Sequence, residues 1–284
     1  AVACQTRHVR SIDLIIEPDP DDPEASDVCV DGFVGDEPVR FRLDTGAARC
    51  RVVDSESVRS LPTAGGDGGF GATGSGIPGE DEIVISRLQI GDAEIRDVVA
   101  TRTPPEIDAF PLLGLSALGR WTCGFDFTAR RLVLATSGGD EQVDWRPLEL
   151  HPLGQPTVPL SFDDITVTGI WDTGASLTAI DQTFADEQSS LFEPLRESVG
   201  FDANGVEMAT TIARMAEITV AGRQFEPSAC ASVDLGPLNE AIDRLASADG
   251  RSPDPMSVIL GMPVIASADW WFDFPARRWA LVSG

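Results

Sequence analysis

Leu43-Asp44-Thr45-Gly46-Ala47 and Trp171-Asp172-Thr173-Gly174-Ala175 are two copies of one short string, 128 residues apart in a chain of 284. A single Asp-Thr-Gly is an ordinary turn, because Asp and Gly are favoured wherever a strand breaks. Its recurrence carries the information, and comparing the chain with itself extends the match. Leu112-Leu113-Gly114 recurs as Ile259-Leu260-Gly261, and Phe125-Asp126-Phe127-Thr128-Ala129-Arg130-Arg131 recurs as Phe272-Asp273-Phe274-Pro275-Ala276-Arg277-Arg278, both 147 residues on. Three blocks in one order in each half mean two similar units rather than one continuous core.

Working outward, the signals between the blocks are those of β-structure: short β-branched and apolar runs with turn residues between them. Val39 to Leu43 follows the turn Gly35-Asp36-Glu37-Pro38, and Ile165 to Trp171 follows Asp163-Asp164, so each Asp-Thr-Gly ends the second strand of a hairpin. The hairpin around Leu88 to Ile95 resembles Ile218 to Phe225 near the smaller offset, so the second half's extra residues lie after it. Within them, Pro237 to Ala246 has Pro near a helix start and Leu238, Ile242 and Leu245 at helical spacing, which predicts a short helix. The expected organisation is an N-terminal segment with an acidic loop over 1–27, a first lobe over 28–136, a linker over 137–147, and a second lobe over 148–284. The helical insertion falls near 234–255.

Equivalent loops of two related halves meet near their approximate two-fold axis, which would bring Asp44 and Asp172 together. Two carboxylates in contact cannot both ionise cheaply, so they share a proton and titrate as a unit. One is then an acid and the other a base, able to activate a water against an amide carbonyl without metal or covalent intermediate. Gly46 and Gly174 permit a tight bend and offer N–H groups to the carboxylates, while the Thr45 and Thr173 hydroxyls can tie the loops together.

On these residues the chain resembles the pepsin-like and retropepsin-like aspartic peptidases, and the Asp-Thr-Gly-Ala form with the Phe-Asp-Phe…Arg-Arg ending is similar to bacterial retropepsin-like proteins. The likeness covers Val28 to Leu134 and Val158 to Leu281. It implies an all-β, two-lobed pepsin-like fold with a cleft between pseudo-two-fold-related β-barrel lobes, an Asp44–Asp172 catalytic dyad, no cofactor, and a polypeptide substrate bound extended. The implied activity is that of an aspartic endopeptidase; the alternative is a non-catalytic binding or inhibitory protein on the same fold. Pepsin-like enzymes usually have Ser after Asp-Thr-Gly and a Tyr on the flap, whereas this chain has Ala47 and Ala175 and no Tyr. The nearest flap candidate is Gly68 to Gly76, with Phe70, Gly71, Thr73 and Gly74 as substrate-contacting residues. Losing a hydroxyl donor beside each carboxylate predicts activity extending to milder acidity.

Composition narrows the rest. With 21 basic residues, all Arg, against 46 acidic, the net charge is −25, which disfavours nucleic acid and anionic lipid as partners. Adaptation to salt, work at low pH and genomic base composition all fit this excess. Two His and five Cys without a CxxC pair make no metal site. The start Ala1-Val2-Ala3-Cys4 loosely resembles a bacterial lipoprotein signal end, so removal of a signal peptide, a lipid anchor at Cys4, and a secreted, periplasmic or envelope location are expected. The other four Cys then either pair or serve as small buried hydrophobes. One chain holding both halves predicts a monomer. Two overlapping GxGxxG matches in Gly66 to Gly74 lack the preceding strand and following helix of a nucleotide loop. Asp126 and Asp273 read as turn or ion-pair residues, Trp270, Trp271 and Trp279 as packing, and the acidic run Glu17 to Glu24 as a solvated loop, with calcium binding left open.

Overall fold

The structure is a computed structural model and describes residues 9–67, 71–107, 109–136, 143–248 and 254–282. Each lobe is built on one β-sheet, of eight strands in the first lobe and ten in the second among the described residues, and the first closes on itself where Ser26–Val34 also pairs with Asp81–Ile90. In the first lobe, strand Glu37–Leu43 pairs antiparallel with Ser26–Val34 and parallel with Leu112–Leu113, which places Leu43 opposite Leu113. In the second, Ile165–Trp171 pairs antiparallel with Pro156–Phe162 and parallel with Val258–Leu260, which places Trp171 opposite Leu260. The residue after each of these strands is the repeated Asp.

The apolar-apolar-Gly blocks are thus the parallel neighbours of the Asp-bearing strands, and their glycines have a steric reason. A Cβ on Gly114 would lie 2.2 Å from the Arg49 carbonyl oxygen, and one on Gly261 would lie 2.3 Å from that of Leu177. Only Gly lets these two chains run so close.

A third, six-stranded sheet joins the lobes. Thr122–Asp126 of the first pairs antiparallel with Asp269–Asp273 of the second, so the two Phe-Asp-Phe blocks sit side by side. Behind this seam Phe125, Trp171, Trp270, Phe272 and Trp279 are fully buried in one aromatic cluster, with Trp171 centred 4.8 Å from Phe125 and 4.5 Å from Phe272. Contacts of this kind are worth about 0.5–1.5 kcal/mol each beyond area burial. Trp171 immediately precedes Asp172, so packing at the seam holds the second Asp loop from behind.

Asp126 caps its turn through Ala129 N–H at 2.6 Å; Asp273 does the same for Ala276 at 3.1 Å and also accepts from Arg278 Nε at 2.9 Å. Both are structural. The predicted helix is present as Gly236–Ala248. The acidic run departs from its reading as a solvated loop. Asp19 ties its own turn by accepting from the Asp21 and Asp22 N–H groups, but Asp22 pairs with Arg196, and Glu24 accepts from Arg214 Nη1 at 2.7 Å and Ala229 N–H at 2.8 Å. These partners belong to the second lobe, so Asp22 and Glu24 strap the lobes together, which local composition does not signal. Cys29, Cys50, Cys123 and Cys230 are buried free thiols, which takes them out of the disulfide alternative. Cys4 and most of the expected linker, residues 137–142, lie outside the described residues. No described helix is long and apolar enough to cross a membrane.

Candidate active site

Asp44 and Asp172 are brought together by backbone equivalents on each side. Asp44 N–H donates to the Leu113 carbonyl at 3.1 Å, and Asp172 N–H to that of Leu260 at 3.0 Å. Leu115 N–H donates to the Ala47 carbonyl at 2.9 Å, and Met262 N–H to that of Ala175 at 3.0 Å. Each loop is therefore pinned at both ends by the segment carrying its lobe's apolar-apolar-Gly block.

The two threonines cross between the loops. The Thr45 hydroxyl donates to the Trp171 carbonyl at 2.9 Å and accepts from Thr173 N–H at 3.0 Å. The Thr173 hydroxyl donates to the Leu43 carbonyl at 2.9 Å and accepts from Thr45 N–H at 3.1 Å. Both side chains are fully used and buried, so the loops form one rigid unit.

The glycines face the opposite carboxyls. Gly46 N–H donates to Asp172 Oδ1 at 2.9 Å, across the two-fold, and Gly174 N–H donates to the same oxygen at 2.8 Å. A Cβ on Gly46 would lie 2.3 Å from Asp172 Oδ2, and one on Gly174 would lie 2.5 Å from Asp44 Cγ. Asp44 Oδ1 accepts from Ala47 N–H at 2.7 Å. The two side chains are within hydrogen-bonding reach of each other.

Burial holds the pKa of Asp44 above the ordinary carboxylate value, and the Ala47 N–H with the charges of Arg51 and Arg42 offsets only part of that rise. Asp172 is pushed up to about 8, first by burial and then by the charge of Asp44, against the two N–H groups it accepts. The repulsion between the two carboxyls is mutual and lets only one ionise cheaply, while the charges of Arg51 and Arg42 favour ionised Asp44. No group of three or more metal-ligating side chains occurs among the described residues.

The flap candidate is placed against the other lobe. Gly68, Gly69 and Phe70 lie outside the described residues. The following turn, with Gly71 N–H on the Ser75 carbonyl, meets the tip of the second lobe's hairpin between strands Phe192–Phe201 and Glu207–Met215. There Asp202 Oδ2 accepts from Thr73 N–H at 3.2 Å and from the Thr73 hydroxyl at 2.7 Å, and Asn204 Nδ2 donates to the Ser75 carbonyl at 2.7 Å. A Cβ on Gly71 would fall 2.3 Å from Asp202 Oδ2, and one on Gly74, at φ +72°, would fall 2.8 Å from the Pro237 carbonyl oxygen.

Arg51 completes this clasp. It leaves the Asp44 loop on strand Cys50–Val53, is buried, pairs with Glu80, and donates to the Ala203 carbonyl at 2.6 Å and to Asn204 Oδ1 at 2.5 Å. Its role was open to a sequence reading only as an Arg within an otherwise apolar strand. Asp202-Ala203-Asn204-Gly205 carries a turn signature, but its partner across the molecule has no local signal. Contrary to the expectation, a strand, Thr63–Asp67, does run into the first glycines, but Gly71 to Ser75 is followed by strand Asp81–Ile90, its own hairpin partner, and not by the helix a dinucleotide loop needs.

Family comparison agrees with this geometry. A family model described as "gag-polyprotein putative aspartyl protease" matches residues 30–120, and one described as "aspartyl protease" matches residues 158–264, one model to each lobe. The chain belongs to the retropepsin-like aspartic peptidases. Among solved structures it is similar to conglutin gamma, a basic 7S globulin from lupine seeds, at 9% identity and a TM-score of 0.54, covering 98% of this chain and 96% of that one. It also aligns with basic 7S globulin from soybean (10% identity, TM-score 0.46, 98% and 96% covered). A retropepsin-like aspartic protease from Rickettsia conorii aligns at 21% identity and TM-score 0.33, over 46% of this chain and 93% of that one. The lupine structure supports the two-lobed fold across nearly the full chain and says nothing of catalysis. No curated protein matches the chain by sequence.

Proposed function

We propose that this protein is an aspartic endopeptidase whose active site is completed within one chain. The observation that carries the reading is the pair of carboxyls in contact, each on an Asp-Thr-Gly loop, with Gly46 and Gly174 both donating to Asp172 Oδ1. In the working state Asp44 is ionised and Asp172 protonated. Asp44 takes a proton from a water between them as that water attacks the scissile amide carbon, and Asp172 gives its proton to the carbonyl oxygen. The resulting tetrahedral species collapses as the amine leaves with a proton returned from Asp44 and one hydroxyl gives its proton back to Asp172, which restores the starting state with no covalent enzyme intermediate.

Activity then spans the interval between the two titrations of the dyad. The lower limit is set by protonation of Asp44 and the upper by ionisation of Asp172, whose pKa is raised to about 8. No hydroxyl follows either Gly, and the Ala47 amide alone fills that place beside Asp44. We therefore expect cleavage to reach from acid toward neutral pH. The substrate is an extended polypeptide, and the chain acts as a monomer because both Asp loops are already present.

The test is incubation with a diverse peptide library from acidic to neutral pH, with and without a transition-state peptide mimic such as pepstatin, beside Asp44→Asn and Asp172→Asn. Cleavage by the wild type that both variants lack is the expected result. Wild-type cleavage confined to strong acid would overturn the pH range, and none at any pH would favour a binding protein on the same fold.

A further inference from the structure

Gln155 is far in sequence from the Asp44 loop yet touches it. It ends the turn His151 to Gln155 that joins strands Glu149–Leu150 and Pro156–Phe162, closed by His151 N–H on the Gln155 carbonyl at 2.9 Å. Its side chain is buried, and Nε2 donates to the Gly46 carbonyl at 3.0 Å. That carbonyl shares its peptide plane with the Ala47 N–H, which donates to Asp44 Oδ1 at 2.7 Å. A peptide unit is planar and stiff, so holding its oxygen aims its N–H.

The direction of the chain of bonds follows from elementary donor and acceptor rules. A carbonyl oxygen only accepts, so the amide nitrogen of Gln155 faces Gly46 and Oε1 faces away, toward His151 Nδ1 at 3.2 Å. His151 must then carry a proton on Nδ1 and donate it, which locks the amide against rotation. The approach of Leu153 N–H to that nitrogen at 3.5 Å is accordingly a contact and not a hydrogen bond.

The second loop has no such clamp. The equivalent plane, Gly174–Ala175, turns its N–H to the Asp172 main-chain carbonyl at 3.3 Å, and no side chain among the described residues donates to the Gly174 carbonyl. Two-fold symmetry is broken where the two carboxyls would need different duties.

We propose that Gln155 is a positioning residue for the dyad: from the second lobe it fixes the Gly46–Ala47 peptide so that the Ala47 N–H favours ionised Asp44 over ionised Asp172. Its placement rests on geometry, and its catalytic meaning rests on the aspartic peptidase reading.

The experiment is a titration of the Asp44 side-chain carboxyl by carbon NMR in aspartate-labelled protein, paired with the pH–rate profile, for wild type, Gln155→Met and Gln155→Glu. Met keeps the length without a donor; Glu keeps the shape and, once ionised, turns an acceptor toward Gly46. Two or three N–H bonds lower a carboxylate by roughly two pKa units, so slackening one should raise the Asp44 midpoint by about half a unit in Gln155→Met. The acid limb of the rate profile should move up by the same amount with KM unchanged, and Gln155→Glu should move it further.

Folded variants with the wild-type midpoint and acid limb would reduce Gln155 to packing and overturn the proposal. Should both fail to fold, His151→Phe leaves Gln155 in place but unlocks its amide; a smaller upward shift supports the proposal and an unchanged midpoint overturns it. The titration needs no turnover. A wild-type protein that cleaves nothing would therefore count against the peptidase reading, while the midpoints alone would decide what Gln155 does to Asp44.

Discussion

The two Asp-Thr-Gly loops share a backbone path and differ in what surrounds their carboxyls. Both are pinned by a parallel apolar strand, both exchange threonine bonds, and both place Gly against the opposite Asp. Yet Asp172 Oδ1 takes two glycine N–H groups, whereas Asp44 takes the Ala47 N–H and feels the charges of Arg51 and Arg42. The likeness brings two identical acids together, and the difference tells them apart. A symmetric pair would leave the base unassigned; in the proposed reaction the base is the carboxyl whose ionised form Arg51 and Arg42 favour.

The largest expected effect breaks the pair itself. Asp44→Asn and Asp172→Asn should each lower kcat/KM by about 10²–10⁴-fold or more, measured on any peptide the wild type cleaves, because each removes one partner of the acid–base exchange. A variant that kept wild-type rate would mean that its Asp has no chemical role.

Next come the glycines. Gly46→Ala and Gly174→Ala force a methyl into the opposing carboxyl, so each should cost about 1–3 kcal/mol of stability in denaturant unfolding, with activity lost alongside. Equal losses would mean that the symmetric part of the site dominates; a larger loss from Gly46→Ala would reflect that its N–H, unlike that of Gly174, reaches across the two-fold to Asp172.

The pH dependence of stability separates the two acids. Asp172 has a folded pKa raised from 3.8 to about 8. Its contribution is therefore fully present below the unfolded value and is lost as pH rises through the folded one. Asp172→Asn should thus gain on the wild type between about pH 4 and 8, by on the order of a few kcal/mol, in chemical denaturation at fixed salt. A constant difference across that window would show that Asp172 is not the protonated member.

The smallest effect lies at the clasp. Thr73→Val removes the hydroxyl on Asp202 and should cost about 1 kcal/mol, with faster hydrogen exchange at Thr73 and Asn204 than at Gly46 or Gly174. Exchange rising equally at all four would mean that hairpin tips and Asp loops open as one body.

Much of this was legible in the chain because a domain-sized repeat is a one-dimensional signal. The three blocks marked the Asp-bearing strands, their parallel partners and the seam strands, and the Gly236–Ala248 helix announced itself by periodicity. The clasp and the clamp were not legible. Thr73 and Asp202 are 129 residues apart, and Gly46 and Gln155 are 109, with no shared pattern to link them. The acidic run misled for the same reason: its partners Arg196 and Arg214 are distant, and local composition reads as solvation.

Sequence alone determined that there are two lobes and that Asp44 and Asp172 are corresponding points in them, because repetition survives in the order of residues. The residues that make the two unequal are partly in the sequence as well, since Arg42 and Arg51 flank Asp44 where the second half has Ile170 and Ala179. Tertiary structure alone decided that Gln155 of the second lobe meets the Asp44 loop and that the two carboxyls face each other, because a carboxyl's charge state depends on which groups stand near it in space.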